Sequence, residues 1–292
     1  MKKLILIILL MPLTIWAQTE KPQLTGILSI ADLKQEPYVS WFNKNYASYT
    51  PNAKIVKDLK DLNLSDYSIT IFLGTWCGDS HREVPRFIKI LDETGFTQQS
   101  ITLVGLSSAD SIYKQSPTHE ERGENIYRVP TFIISKKGDE INRIVEYPVV
   151  SLERDLLSIL KNEDYIPNYQ SYIYLSKWLD EGLLSDDNVS DKGLANQIRH
   201  VVKSAGELNN FGYVLIRQSA TNPKAALKVF SMNCFLFPDS YWVYASLAEI
   251  LGELGEHVQA SKILQHAIEL NKDPQNVKYL LEQYDIVRNR VE

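Results

Sequence analysis

Tyr67-Ser68-Ile69-Thr70-Ile71-Phe72-Leu73-Gly74-Thr75-Trp76-Cys77-Gly78-Asp79-Ser80 is the stretch on which the reading of this chain turns. The apolar, β-branched run Tyr67–Leu73 stops at Gly74 and reads as a parallel strand buried on both faces. Residues 80–94 then bring Val84, Phe87, Ile88, Ile90 and Leu91 to one stripe of a helix. A strand therefore turns sharply into a helix, with Cys77 at the helix N-terminus. Unpaired N–H groups and the helix dipole stabilise a thiolate at such a place.

Working outward, residues 36–45 and 52–62 read as two short helices, with Trp41, Phe42, Ile55, Val56 and Leu59 at near-helical spacing. Residues 19–36 carry few signals of order. Residues 101–106 are a second strand, and 107–127 a polar loop with one helical turn or more. Residues 131–135 and 141–145 bracket Lys136-Lys137-Gly138-Asp139, the signature of a hairpin. Residues 152–160 close the unit as a helix.

Four features on this frame resemble the thioredoxin superfamily across residues 50–162. Cys77 corresponds to the family's attacking cysteine. Pro85 falls eight residues after it, where the family's helix kinks. Val129-Pro130-Thr131-Phe132 matches the family's cis-proline segment, whose backbone faces the cysteine and holds an extended substrate strand. Gly138 falls eight residues after Pro130, at the family's hairpin. The resemblance implies an α/β thioredoxin-like fold, a central mixed sheet flanked by helices. It further implies Cys77, Ser80 and Pro130 as the catalytic positions, with Trp76, Gly78, Asp79, Val129 and Thr131 contacting substrate.

Two positions depart from that pattern. Ser80 stands where an ordinary exchanger carries the resolving cysteine, so a mixed disulfide on Cys77 needs an external thiol or reductase to resolve it. Ile71 stands where the family usually buries an aspartate that deprotonates the resolving cysteine, and here there is none to serve. Asp79 opposes a neighbouring thiolate or caps the first helical turn, while His81 or Arg82 offers compensating positive charge. Arg128 reads as a rim residue. Thr75 resembles the threonine of peroxide-reducing relatives but sits two, not three, residues before the cysteine. Trp76 reads as a contact for partner peptides or a cap over the core.

The chain has 292 residues, enough for two domains. Its apolar share of 44% and charged share of 23% are those of a globular protein. A net charge of −5 argues against a nucleic-acid partner. Lys2 and Lys3 precede an uncharged apolar run ending near Ala17, which reads as a cleaved signal peptide, residues 1–17. The run is shorter than the ~20 residues of a spanning helix, although an uncleaved anchor is the competing reading. Cleavage moves the formal charge from −5 to −7. The implied location is periplasmic or secreted, without a lipid anchor, since no cysteine follows the run. The two cysteines, Cys77 and Cys234, fall in different regions, so packing rather than disulfides must hold the fold. Cys234 reads as a small buried apolar side chain. No metal site and no cofactor is expected: no zinc-ligand spacing and no glycine-rich phosphate loop is present.

After an N-terminal segment, 18–49, and the 50–162 unit, residues 163–205 read as a helical connector, with helical stretches at 169–179 and 192–203. In residues 206–292, Ala226 and Phe230 recur 34 residues later as Ala260 and Leu264. With Tyr244, Leu247, Ala248, Leu251, Gly255 and Ala267, these resemble the tetratricopeptide repeat, closed by a capping helix at 274–290. The expected whole is an α/β domain followed by an all-α helical-repeat domain.

Two functions follow. One is an exported single-cysteine thiol-disulfide oxidoreductase or isomerase acting on protein or peptide disulfides. The other is a redox-inert binding module whose groove or helical repeats hold an exported protein partner.

Overall fold

The computed structural model describes residues 22–218 and 222–289. The expected signal peptide lies outside the described residues. The N-terminal part holds β1 (Gly26–Leu28), α1 (Ile30–Leu33), α2 (Val39–Ser48), α3 (Ala53–Lys60), β2 (Tyr67–Leu73) and α4 (Gly78–Thr94). It continues through β3 (Ile101–Gly105), β4 (Thr131–Lys136), β5 (Asp139–Val145) and α5 (Leu152–Leu160).

The strands form one mixed sheet in the order β1-β3-β2-β4-β5. Only β2 and β3 run parallel, with Ile71 opposite Leu103; the other pairs are antiparallel. Because successive side chains of a strand alternate in face, β2 feeds two cores. Ile69, Ile71 and Leu73 point to a helical side with Phe42, Leu59, Val84, Phe87, Phe132 and Leu156. Phe72 points the other way, to a smaller cluster with Val104, Leu106, Ile126, Val129 and Ile133, against which Trp76 and Cys77 pack. Burying each such large side chain stabilises the fold by about 1.5–3 kcal/mol. Ile71 is fully buried in the middle of the sheet, so an aspartate there would need a buried partner.

Helix α4 is set by its ends. Gly95, with φ of 88°, takes the left-handed position and donates to Leu91 O. Pro85 lies inside the helix and is buried with its apolar stripe. The hairpin closes through Lys137 and Gly138, both at positive φ, the pair of conformations that fits the strand twist.

Residues expected to be featureless supply an edge strand. β1 pairs with β3 through Gly26↔Gly105, Ile27↔Val104 and Leu28↔Leu103. Three residues are too few to show an alternating pattern, and their strand state comes from the partner they meet.

The C-terminal part is all helical: α6 (Ser171–Asp180), α7 (Asp191–Ile198), α8 (Ala205–Gln218), α9 (Pro223–Leu236), α10 (Tyr241–Glu253), α11 (His257–Leu270) and α12 (Pro274–Arg288). α8 packs on α9, and α10 on α11, as helical hairpins. Ala226 and Phe230 are fully buried, as are Ala260, Ala248 and Ala267, so the 34-residue recurrence marks equivalent packing positions. Gly255, at φ of 84°, makes the turn between α10 and α11. One core runs through α6, α7, α8 and α9 and includes Tyr127 of the α/β part. The helical region is therefore packed directly on the 107–127 loop.

Candidate active site

Cys77 is the N-cap of α4, with extended backbone and no side-chain capping bond. Its N–H donates to Gly74 O at 2.9 Å, and its carbonyl accepts from His81 N at 3.0 Å, which fixes the turn. The side chain is half-buried, and its S–H donates to Val129 O at 3.2 Å. The Val129–Pro130 peptide is cis. Pro130 O accepts from Glu146 N at 2.7 Å, so the loop facing the thiol is tied to the end of β5. Gly78 is exposed, and a Cβ added there meets nothing within 4 Å, leaving the outer side of the thiol open.

The neighbours of Cys77 divide into open and buried groups. Ser80 is fully buried, and its Oγ accepts from Gly74 N at 3.2 Å, so the hydroxyl braces the strand-to-helix turn. Trp76 lies half-buried and donates from Nε1 to Leu106 O at 2.8 Å, with its ring 6.2 Å from that of Tyr113. A side chain at residue 74 would meet the Trp76 ring at 2.6 Å, so the tryptophan closes over the site only because Gly74 is there.

Asp79 accepts from Arg82 Nη2 at 2.6 Å, which places its charge in an ion pair on the helix surface. His81 donates from Nε2 to Thr75 O at 2.7 Å, and its ring stacks 4.4 Å from Trp41 of α2. Thr75 is buried and its hydroxyl accepts from Leu24 N. Val129 and Thr131 are also buried. Val129 meets the thiol through its carbonyl, while the Thr131 hydroxyl donates to Arg128 O at 2.8 Å. Among the expected contacts, Gly78 is exposed, Trp76 and Asp79 are half-buried, and Val129 and Thr131 act through the backbone they shape.

A polar cluster stands behind this loop, built from residues distant in sequence. Arg128 is more than a rim group. Its Nε donates to Tyr172 Oη at 3.0 Å, Nη1 to Glu146 Oε1 at 3.3 Å and Nη2 to Gly206 O at 3.0 Å. Its guanidinium lies 4.8 Å from the Tyr169 ring centroid, and Tyr169 Oη donates to Glu146 Oε2. Burial pushes the Glu146 carboxyl up against the pull of Arg128. Lys114 is 3% exposed, and its Nζ donates to Tyr127 O and to Asn210 Oδ1, each at 2.7 Å. Lys114, Tyr113 and Glu146 carry no sequence signal of this role, because strand-end, insert and α8 residues meet only in the fold. Arg128 stood beside Pro130 in sequence and offered the one available hint.

Chemically, the site offers one accessible thiol. Cys234 is free and buried beside Ala205 and Val243, and burial pushes its thiol up to about 12. Among the described residues no group of histidine, cysteine and carboxylate side chains is arranged to hold a metal ion. No helix among them is long and apolar enough to cross a membrane.

No protein-family model, no curated protein and no solved structure matches this chain.

Proposed function

We propose that the chain is an exported, thioredoxin-like thiol-disulfide oxidoreductase or isomerase that works through the single cysteine Cys77, in the periplasm or outside the cell. The observation that carries this reading is the approach of Cys77 Sγ to Val129 O at 3.2 Å, with the thiol at the N-terminus of a 17-residue helix. A nucleophilic sulfur beside a backbone carbonyl, open on its Gly78 side, suits attack on a disulfide in an extended chain. The Cys77 thiolate attacks one client sulfur, a Cys77–client disulfide forms, and the other client sulfur leaves. Ser80 forms no disulfide, so an external thiol completes the cycle.

A second reading rests on the same serine. A braced, buried Ser80 and a 300 Å³ groove between α10 and α12, lined by Trp242, Tyr279 and Leu280, suit a thioredoxin-fold adaptor with tetratricopeptide-like helices and no redox role. Trapping from the exported fraction on non-reducing gels separates the two. Wild type is expected to accumulate mixed disulfides with client proteins that Cys77→Ser abolishes. Equal recovery of the same partners by both forms would overturn the enzymatic reading in favour of the adaptor.

A further inference from the structure

We propose that Arg128 is a positioning residue for Cys77: it suspends residues 127–131 from the helical region, so that the Val129 carbonyl holds the sulfur in the orientation that attack requires. The proposal rests on the reading of Cys77 as a disulfide-exchange nucleophile.

The segment is held carbonyl by carbonyl. Tyr127 O accepts from Lys114 Nζ at 2.7 Å and from Asn210 Nδ2 of α8. Arg128 O accepts from the Thr131 hydroxyl at 2.8 Å, and Pro130 O from Glu146 N at 2.7 Å. The carbonyl between them, Val129 O, is the one that accepts from the Cys77 thiol, at 3.2 Å. With the carbonyls on either side tied down, that oxygen is aimed by its neighbours rather than by the thiol.

The Arg128 side chain extends this hold to three further parts of the fold. It is 22% exposed, and each nitrogen has a different partner. Nε donates to the Tyr172 hydroxyl of α6, Nη1 to the Glu146 carboxylate just after β5, and Nη2 to the Gly206 carbonyl of α8. The two helical partners are themselves locked together by Glu207, which is buried. Its Oε2 accepts from Ser171 Oγ of α6 at 2.5 Å, and its Oε1 from Lys203 N and Ser204 N, ahead of α8, at 2.8 and 3.1 Å. Ser171 adjoins Tyr172 and Glu207 adjoins Gly206, so one buried carboxylate fixes both acceptors relative to each other. Glu146 and Tyr169, which meet the guanidinium from the α/β side and through an aromatic face, stand in the left-handed region at φ of 64° and 63°. Neither residue type favours that region, and such outliers persist where the surroundings over-determine them. A planar guanidinium with its donors in a fixed fork suits three acceptors at set angles; a lysine ammonium, a compact point charge on a flexible stem, does not.

The need for position comes from the chemistry. The Cys77 thiolate attacks one client sulfur in line with the client S–S bond. The Cys77–client bond forms as that bond breaks, and the second client sulfur leaves with the electron pair and takes a proton from water. Three sulfurs must align, and misplacement of the attacking atom costs rate steeply. A small alkylating agent approaches from any open direction and makes no such demand.

The test uses the whole chain with Cys234→Ser, so that Cys77 is the only thiol. At one pH, alkylation by iodoacetamide is compared with mixed-disulfide formation from a disulfide-linked peptide dimer. Arg128→Lys, which keeps the charge and loses the fork, is expected to slow exchange about tenfold relative to alkylation. Tyr172→Phe, which removes one acceptor of Arg128, is expected to act in the same direction by less, and serves in place of the lysine variant should that not fold. In the same variants the α–β proton couplings of selectively labelled Cys77 are expected to change from those of one side-chain rotamer to averaged values. Equal slowing of both reactions, no slowing, or unchanged couplings in a folded variant overturns the proposal. The couplings need no client. Averaged couplings in the variants of a chain whose wild type makes no mixed disulfide therefore remove the exchange reading alone, and exchange by wild type that the variants match removes this proposal alone.

Discussion

Ser80→Ala and Ser80→Cys separate what the serine does for the fold from what it withholds from the chemistry. In the wild type the buried Gly74 N–H has the Ser80 hydroxyl, 3.2 Å away, as its acceptor. Alanine leaves that donor unpaired in a dry place, at a cost of about 1–3 kcal/mol. At about 2–4 °C per kcal/mol for a domain of this size, the expected fall in Tm is about 4–8 °C for a loss near 2 kcal/mol. Sulfur is a weak acceptor, so reduced Ser80→Cys is expected to fall by a similar amount. Circular dichroism melts under reducing conditions measure both. The cysteine variant also creates a Cys-x-x-Cys pair across the first turn of α4, able to resolve its own mixed disulfide. It is expected to reduce insulin-type disulfides faster than wild type, modestly, since Ile71 accepts no proton. An unchanged Tm in Ser80→Ala would refute the bracing role, and a wild-type rate in Ser80→Cys would refute the missing thiol as the limit on turnover.

Three further outcomes are expected. Gly74→Ala places a Cβ 2.6 Å from the Trp76 ring, so the tryptophan must leave its bond to Leu106 O; a red-shifted Trp76 emission checks this in a background lacking the other tryptophans. Gly212→Ala brings a Cβ to 2.8 Å from the ring of Phe230, which is fully buried and cannot yield; a loss of about 1–3 kcal/mol in denaturant unfolding is expected, and none would mean that α8 and α9 are further apart. Lys114 titrates at about 7 in the fold against 10.5 in the unfolded chain, so the unfolded state holds the extra proton between those values. Stability conferred on the wild type relative to Lys114→Met must therefore rise with pH from about 7 to 10, and parallel pH profiles of unfolding free energy for the two proteins would refute the assignment.

Much of the architecture was legible from residue order alone, for reasons that differ by element. β2, α4 and α5 announce themselves because each buries a complete stripe or face, and their periodicity states which one. Leu152–Leu160 is the helix read from the sequence, and α4 begins at Gly78, two residues ahead of the expected 80. The hairpin turn was legible because Lys137-Gly138 fits only a few backbone conformations. The recurrence of Ala226 and Phe230 at Ala260 and Leu264 was legible because close helix approach demands small residues at fixed spacing. Local chemistry likewise singled out Cys77, since a thiol at a helix N-terminus is marked by the strand, glycine and helix around it.

Tertiary structure alone decided the rest. β1 is a strand because β3 offers it an unpaired edge, not through a propensity of Gly26–Leu28. Asp79 pairs with Arg82 instead of capping N–H groups, a choice between two nearby partners that composition leaves open. Arg128, Glu146, Tyr169, Tyr172, Lys114 and Asn210 come from the insert, the sheet edge and three separate parts of the chain. No spacing rule links them, because their meeting depends on how the helical region docks against the 107–127 loop. Short-range order is written in neighbouring residues, whereas the polar cluster behind the Val129–Pro130 loop joins side chains as far apart as Lys114 and Asn210, and exists only once the two regions have packed together.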